Sequence, residues 1–560
     1  MTHSPTTERE GIYKPVRAPR GTELSCRAWP QEAALRMLMN SLDEEVAERP
    51  EDLVVHGSAA KPVRNWDCYH AILRSLKSLK NDETLLIQAG EPAGIFETYT
   101  EAPRVVIANS NPLSAWSGAD ELPESERLGL ALFGQDAARS WTYAGSQQAL
   151  HTALETFAAV GSAHFGGDLT GKLIVSGGMG AAGGTQPIAA TLAGAAFLGI
   201  DVDGEKITRR IRAGSCDFCV NSLDEALRIL KNAVRQRQPV SVGLVGNCAA
   251  IIPELASRGV VPDILSDLTG VCDLLNGYIP AGLALKEAEA LRHTNPEDYL
   301  QRVRHSLAQH ARGMLQLEKL GAVTFDFGNN LSGAALKYAG VQEAHRWPGF
   351  VSTYLRPAFA EGRVPLRWVA LSGERRDIQR ADDLLLELFP DDAMLARWIR
   401  LARKHVKFQG LPARVSWLGP EQHSRYAEQL NALIAKGEIK APMVIARDQM
   451  AGGSETLPIP GVSGLKDAIG TENQRRVLNA LLTLTSGASW VSLQGEETSG
   501  SGSSCRTSQA AVADGTPGAA KRLQSILASD CGFGLIGRLS AGDHSAHDTR
   551  GATGPETPAG

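Results

Sequence analysis

An α/β fold containing a parallel sheet is the architecture this sequence predicts, on three observations. Apolar strand-like runs alternate with helical segments from about residue 172 to residue 267. Glycines cluster in the turn that opens this alternation. The length, 560 residues of which 43% are apolar, supplies more than one domain core. Strand and helix in alternation build βαβ units, and their strands run parallel.

Taken in order, the first stretch, to about Gly134, reads as a compact α/β layer. It mixes helix-like segments (Trp29 to Leu42, Tyr69 to Leu79) with short strands at Thr84 to Gln88 and Arg104 to Ala108. From Lys172 come the strand KLIVSG, a helix from Pro187, the strands FLGIDV and VSVGLVG, the helix AAIIPELASRG and the strand PDILSD. An amphipathic helix over Pro296 to Leu320 ends at Gly321, a C-cap before the strand-like AVTFDF. Gly495 to Ser508, rich in Gly and Ser, reads as a loop. The chain beyond about Ser540 has too few apolar residues to pack and is expected to be a disordered tail.

The balance of 57 Lys+Arg against 62 Asp+Glu gives a net charge of −5, and with aromatics at 6% nothing marks a nucleic-acid surface. The most apolar stretch, Ile188 to Ile200, is shorter than the ~20 residues a bilayer needs, so no membrane partner is expected. The first residues, MTHSPTTEREG, lack the apolar run of a secretory signal, and eight scattered Cys read as reduced thiols. A cytoplasmic setting follows as the expectation.

The strongest local signal is SGGMGAAGGTQP, in which Gly178, Gly180 and Gly183 spell G-x-G-x-x-G between a predicted strand and a predicted helix. Such glycines permit a tight turn and let backbone N–H groups approach a pyrophosphate. An acid that can hold a ribose hydroxyl belongs about 20 residues on, and Asp201 stands there. The acid favours NAD over NADP, although Arg209 and Arg210 lie close by. The alternative is a glycine turn that only packs helix on strand. GGDLTGK (166–172) lacks the Ser/Thr of a P-loop and precedes its strand. Cys216 and Cys219 form one C-x-x-C without a second pair, so no metal site is expected. Neither H-E-x-x-H nor G-x-S-x-G occurs.

The glycine loop, with APRG (18–21), RNWDCY (64–69), IANSN (107–111), DLLNGYIPAG (273–282), TFDFGNN (324–330), WPGFVSTYLRP (347–357), RWVALSGE (367–374), FQGLPAR (408–414) and LNALLTLTSGASWVSL (478–493), resembles the urocanase family. The resemblance runs in register from about residue 12 to about residue 535. It implies a Rossmann-type NAD-binding domain inserted into an α/β core domain: residues 1–140 and 351–540 as the core, 141–350 as the insert and 541–560 as the tail. It also implies a homodimer and an NAD⁺ that acts as an electrophile and electron sink toward an imidazole-acrylate, with no net redox change.

Carried over residue by residue, the cofactor positions are Gly57, Gln147, Gly178, Gly180, Gly183, Asn247, Thr269 and Tyr278, with Asp201 in place of the family's Glu. Asn247 also reads as a helix N-cap and Tyr278 as a core aromatic. The departures fall where the family recognises substrate. The tyrosine before RNW is His56 and the second glycine there is Ser58. The family's Q-T-S-A-H-D reads Leu268 to Asp273, its F-D-Y-G-N-N tyrosine is Phe327, and its active-site Cys is Ser416. Its R-D-H reads Arg447, Asp448, Gln449, and its glycine-rich H-H-G-G-G loop is replaced by Gln494 to Gly502. Arg356 and Arg447 are candidate partners of a carboxylate or phosphate, with a salt bridge as the alternative. Asp448 is a candidate acid/base or an N-cap, and His56 a candidate proton carrier. Ser416 has no base placed beside it by sequence. A matching cofactor loop with an altered pocket points to hydration of a substituted urocanate, thiolated, S-methylated or N-methylated. The alternatives are authentic urocanate hydratase, an NAD-dependent dehydrogenase and a non-catalytic NAD-binding paralogue.

Overall fold

The computed structural model describes residues 14–56, 60–109, 136–271, 273–447, 468–498 and 502–540. Residues before 110 supply β1 (Glu83–Gln88), β2 (Glu91–Glu97) and β3 (Val105–Asn109). The middle of the chain supplies β4 (Leu173–Gly177), β5 (Ala196–Asp201), β6 (Phe218–Val220), β7 (Ser241–Val245), β8 (Ile264–Asp267) and β9 (Val323–Thr324). The last part supplies β10 (Val364–Ala370), β11 (Ala413–Leu418), β12 (Met443–Arg447), β13 (Trp490–Thr498) and β14 (Gly502–Ala513).

These strands form two sheets. The six middle strands pair in the order β6-β7-β5-β4-β8-β9, every neighbour parallel. The other eight form one mixed sheet in the order β11-β10-β12-β14-β13-β3-β1-β2. In that sheet β3 lies parallel to β13, with Val105 opposite Trp490. The first stretch is therefore not a layer of its own: it completes a sheet whose larger part lies some 380 residues further along the chain, and the parallel sheet sits between the two contributions in sequence.

Local chemistry explains the parallel sheet. β5, AFLGID, is buried at all six positions, as expected of a central parallel strand covered on both faces. The helix Leu223–Gln236 buries Leu223, Ala226, Leu227, Leu230 and Ala233, the three-and-four spacing of one helical face. The helix Gly204–Ala213 starts at the Asp203 cap and stops at Gly214, whose φ of 77° is left-handed. The long helix Pro296–Lys319 crosses the helix Cys248–Ser257 where Gly313 meets the ring of Pro253; a Cβ at Gly313 would lie 2.9 Å from that ring. Five tryptophans (Trp141, Trp368, Trp398, Trp417 and Trp490) are fully buried around the eight-stranded sheet and the helices on it. The indole N–H groups of Trp141, Trp398 and Trp490 donate to the carbonyls of Pro62, Val415 and Ser140.

A second expectation is overturned. Gly495 to Thr498 and Gly502 to Ser508 are strand and not loop: they belong to β13 and β14, which pair antiparallel with Gly495 opposite Cys505 and Glu497 opposite Ser503. Backbone pairing with a neighbouring strand outweighs the weak strand preference of Ser and Gly there. Of AVTFDF only Val323–Thr324 joins the parallel sheet. The expected tail beyond residue 540 lies outside the described residues, and among those described no helix is long and apolar enough to cross a membrane.

Candidate active site at the switch point of the parallel sheet

β4 has β5 on one side and β8 on the other, so the order of strands reverses beside it. In open parallel sheets the crevice beyond the carboxyl ends of such strands is where ligands bind. The glycine turn leaves the end of β4 into this crevice, and Leu268 and Thr269 leave the end of β8 beside it.

The three glycines have three different reasons. Gly178 has φ +81°, and a Cβ on it would overlap the backbone of Leu268 and Thr269. Gly183 packs as closely: its Cβ would overlap the carbonyl of Gly178 and touch the side chain of Leu268. Gly180 has nothing within 4 Å of where its Cβ would stand. The protein's own packing therefore does not demand a glycine at position 180, and the open space leaves room for a ligand to approach the backbone there. A turn closed at Gly178 and Gly183 and open at Gly180 fits the pyrophosphate of a dinucleotide.

Asp201, at the end of β5, is buried and its carboxylate faces the same turn. Oδ2 accepts from the backbone N–H of Met179 at 2.7 Å, and Oδ1 from that of Asp203 at 2.9 Å. Each oxygen keeps a second acceptor site for a ribose hydroxyl. Arg209 and Arg210, the two residues that left NADP open, both turn to Glu48 instead. Arg209 donates to the Glu48 carbonyl at 3.0 Å, and Arg210 donates Nη2 to the Glu48 carboxylate at 3.0 Å and Nε to the Met179 carbonyl at 3.2 Å. This clamp fastens the glycine turn to the segment before β1.

Thr269 is fixed by Asp267, whose Oδ2 accepts from its backbone N–H at 3.0 Å and from its hydroxyl at 2.6 Å. Asn329, from the TFDFGNN phrase, donates to the same oxygen at 2.6 Å and to the Thr269 carbonyl at 3.0 Å. Tyr278 lies on this cluster, its hydroxyl 3.3 Å from Nδ1 of a buried His310. Burial raises the Asp267 carboxyl, lowers the His310 imidazole and pushes the Tyr278 hydroxyl well above its ordinary value.

Several predicted residues are committed elsewhere. Asn247 caps the helix Cys248–Ser257 through the Ala249 N–H and donates to the Ile279 carbonyl at 2.9 Å, the capping alternative. The Gln147 amide donates to the Ala413 carbonyl at 2.7 Å and accepts from Arg414 at 3.4 Å, which ties it to β11. Arg447 forms a buried ion pair with Asp530 at 2.6 Å, the salt-bridge alternative. Arg356 is exposed at the start of the short helix Arg356–Ala360. His56 is buried with its ring 4.7 Å from that of Tyr143. Ser416, on β11, is fully buried and its hydroxyl has no hydrogen-bond partner. Phe327 stacks on Phe350 at 4.8 Å, with Phe325 and Phe157 at 5.6 and 5.9 Å. Gly57 and Asp448 lie outside the described residues.

Sequence reasoning missed Glu48, Asp267, His310 and Asn329. Asn329 stood inside a quoted phrase and Asp267 one residue before another, so both were within reach. Nothing local marks Glu48 or His310, which the fold brings in from 131 and 43 residues away from Met179 and Asp267 respectively.

Two sheets, one of them parallel with a glycine turn at its switch point, define an α/β protein with a Rossmann-like domain. Comparison with known families then gives the identity. The urocanase N-terminal domain matches residues 16–142, the urocanase Rossmann-like domain residues 145–354 and the urocanase C-terminal domain residues 357–551. The chain belongs to the urocanase family and is a hydro-lyase of the urocanate hydratase type.

Proposed function

We propose that this hydro-lyase binds NAD⁺ at the glycine turn and adds water to a substituted urocanate, an imidazole-acrylate carrying a thiol, S-methyl or N-methyl group. The observation that carries the proposal is a contrast between neighbouring positions. The glycine turn keeps its open Gly180 and its Asp201, while Leu268 beside the turn, and Phe327 buried among Phe157, Phe325 and Phe350, are hydrocarbon where the family resemblance has polar groups. When bound, NAD⁺ supplies an electrophilic ring that withdraws electrons from the imidazole and is returned unchanged.

The chain's own residues do the rest. The glycine turn takes the pyrophosphate and Asp201 a ribose hydroxyl. The clamp to Glu48 engages both nearby arginines, which supports NAD over NADP at Asp201. Asp267 and Asn329 hold Thr269 at the crevice edge. Arg356 is the candidate partner of the substrate carboxylate and His56 the candidate proton carrier. Hydrocarbon at positions 268 and 327 leaves a ring edge that needs a hydroxyl partner unmatched and favours a sulfur or methyl substituent, a preference worth ~1–3 kcal/mol. A homodimer in the cytoplasm is part of the same proposal, and a one-chain mass by light scattering counts against the dimer.

The test offers urocanate, thiourocanate, S-methyl-thiourocanate and N-methyl-urocanate in parallel and follows loss of the acrylate's ultraviolet absorbance. A substituted compound consumed while urocanate persists is the expected result. Urocanate consumed fastest makes the pocket changes neutral and the protein an ordinary urocanate hydratase.

A further inference from the structure

Beneath the glycine turn three donor atoms from three elements converge. They are Sγ of Cys248, at the start of its helix, Oδ1 of Asp267, at the end of β8, and Nε2 of His310, midway along the helix Pro296–Lys319. All lie within 4.8 Å of one another and all three residues are buried. Gly177 is a glycine at this point because a Cβ there would overlap both Asp267 Oδ1 and Cys248 Sγ.

Two of the three atoms, Asp267 Oδ1 and His310 Nε2, have no hydrogen-bond partner among the described residues although both residues are only 1% exposed. They face each other at 3.6 Å. A hydrogen bond would draw them to ~2.7–3.2 Å. Two ligands on one tetrahedral zinc, each bonded at ~2.0 Å, stand ~3.3 Å apart. The observed spacing is closer to the second arrangement once an ion draws the donors in.

The far side of each group is already held, as metal ligands require. Asp267 Oδ2 accepts from Thr269 and Asn329, and His310 Nδ1 meets the Tyr278 hydroxyl. Cys248 Sγ makes a long contact, 3.8 Å, with the Ile200 carbonyl. A thiolate, a carboxylate and a neutral imidazole sum to two negative charges, so a divalent cation makes the buried assembly neutral and avoids the cost of an isolated buried charge. The mixed S, O and N donors select the zinc class over calcium or magnesium.

We propose that Cys248, Asp267 and His310 bind one divalent cation of the zinc class, which ties the helix Cys248–Ser257, β8 and the helix Pro296–Lys319 together under the turn. On binding, the thiol proton leaves to solvent and the imidazole stays neutral. The site requires no cofactor and stands whether or not the chain binds NAD.

The full chain, purified without chelators or metal-affinity steps, is analysed for bound metals by mass spectrometry. It is then stripped and titrated with Co²⁺, whose thiolate complex absorbs in the near ultraviolet. The expected result is about one zinc per chain, with a cobalt–thiolate band that Cys248→Ala abolishes. His310→Gln is expected to lose the metal as well; should it fail to fold, Cys248→Ala, which removes one small sulfur, still decides. A wild-type chain without zinc and without the cobalt band overturns the proposal, as does a metal content that Cys248→Ala leaves unchanged.

Discussion

At the scale of single residues, Gly180 separates folding from ligand binding. Because its Cβ position is open, Gly180→Ala is expected to leave Tm unchanged and to lower the amount of NAD that stays bound on purification. Gly178→Ala, with φ +81° and backbone in the way, is expected to lower both. Calorimetry together with nucleotide release on denaturation reads the difference, and equal retention in Gly180→Ala and wild type would show that no ligand approaches there. His423 makes a second case. Burial, and then the Arg447 guanidinium, hold its imidazole well below the ordinary value. In the unfolded chain the ring takes up a proton near pH 6.5. Below that value the unfolded state binds more protons, so this group removes stability as pH falls, and above it the penalty is absent. His423→Gln is expected to flatten the decline in Tm between about pH 7 and pH 5; an unaltered slope counts against the assignment. The cofactor glycines and Asp201 were legible because their spacing is set by one βαβ unit. Arg447 was not, since its partner Asp530 lies in a helix at the other end of the core and no local pattern announces it.

At the scale of elements, two ionic contacts fasten segments distant in sequence. Asp382, in the helix Arg375–Leu388, accepts from Nε and Nη2 of Arg414 on β11 at 3.0 and 2.8 Å, with both side chains inaccessible. Asp382→Asn leaves the guanidinium buried without its counter-charge, and a loss of about 3–5 kcal/mol in urea unfolding is expected. The Arg210–Glu48 contact is partly accessible, so Arg210→Met is expected to cost less, about 1–3 kcal/mol, and to weaken NAD retention through the Met179 carbonyl it no longer holds. Retention unchanged in Arg210→Met would show that the clamp is only structural. Helices and parallel strands could be read from periodicity to within a few residues. The hairpin of β13 and β14 could not, because Gly and Ser signal a loop locally while long-range pairing decides the outcome.

At the scale of the whole molecule, the eight-stranded sheet is assembled from both ends of the chain and the parallel sheet is built between them. Helix Gln147–His164 follows the first contribution, and its Gln147 amide is held by β11 of the second. The parallel sheet was legible from alternation alone. The pairing of β3 with β13 was not, because nothing in either strand names a partner so distant in sequence. The glycine turn leaves the end of β4 and Leu268 leaves the end of β8 beside it, both in the parallel sheet, and the proposed chemistry depends on both. The most direct measurement gives the purified chain no added nucleotide and mixes it with a substituted imidazole-acrylate. The acrylate absorbance and the absorbance of reduced nicotinamide are then followed together. A fall in the first with no rise in the second, from protein that releases NAD on denaturation, is the predicted result. Reduced nicotinamide rising in step with acrylate loss, or an acrylate that persists in the presence of NAD-loaded protein, would contradict it.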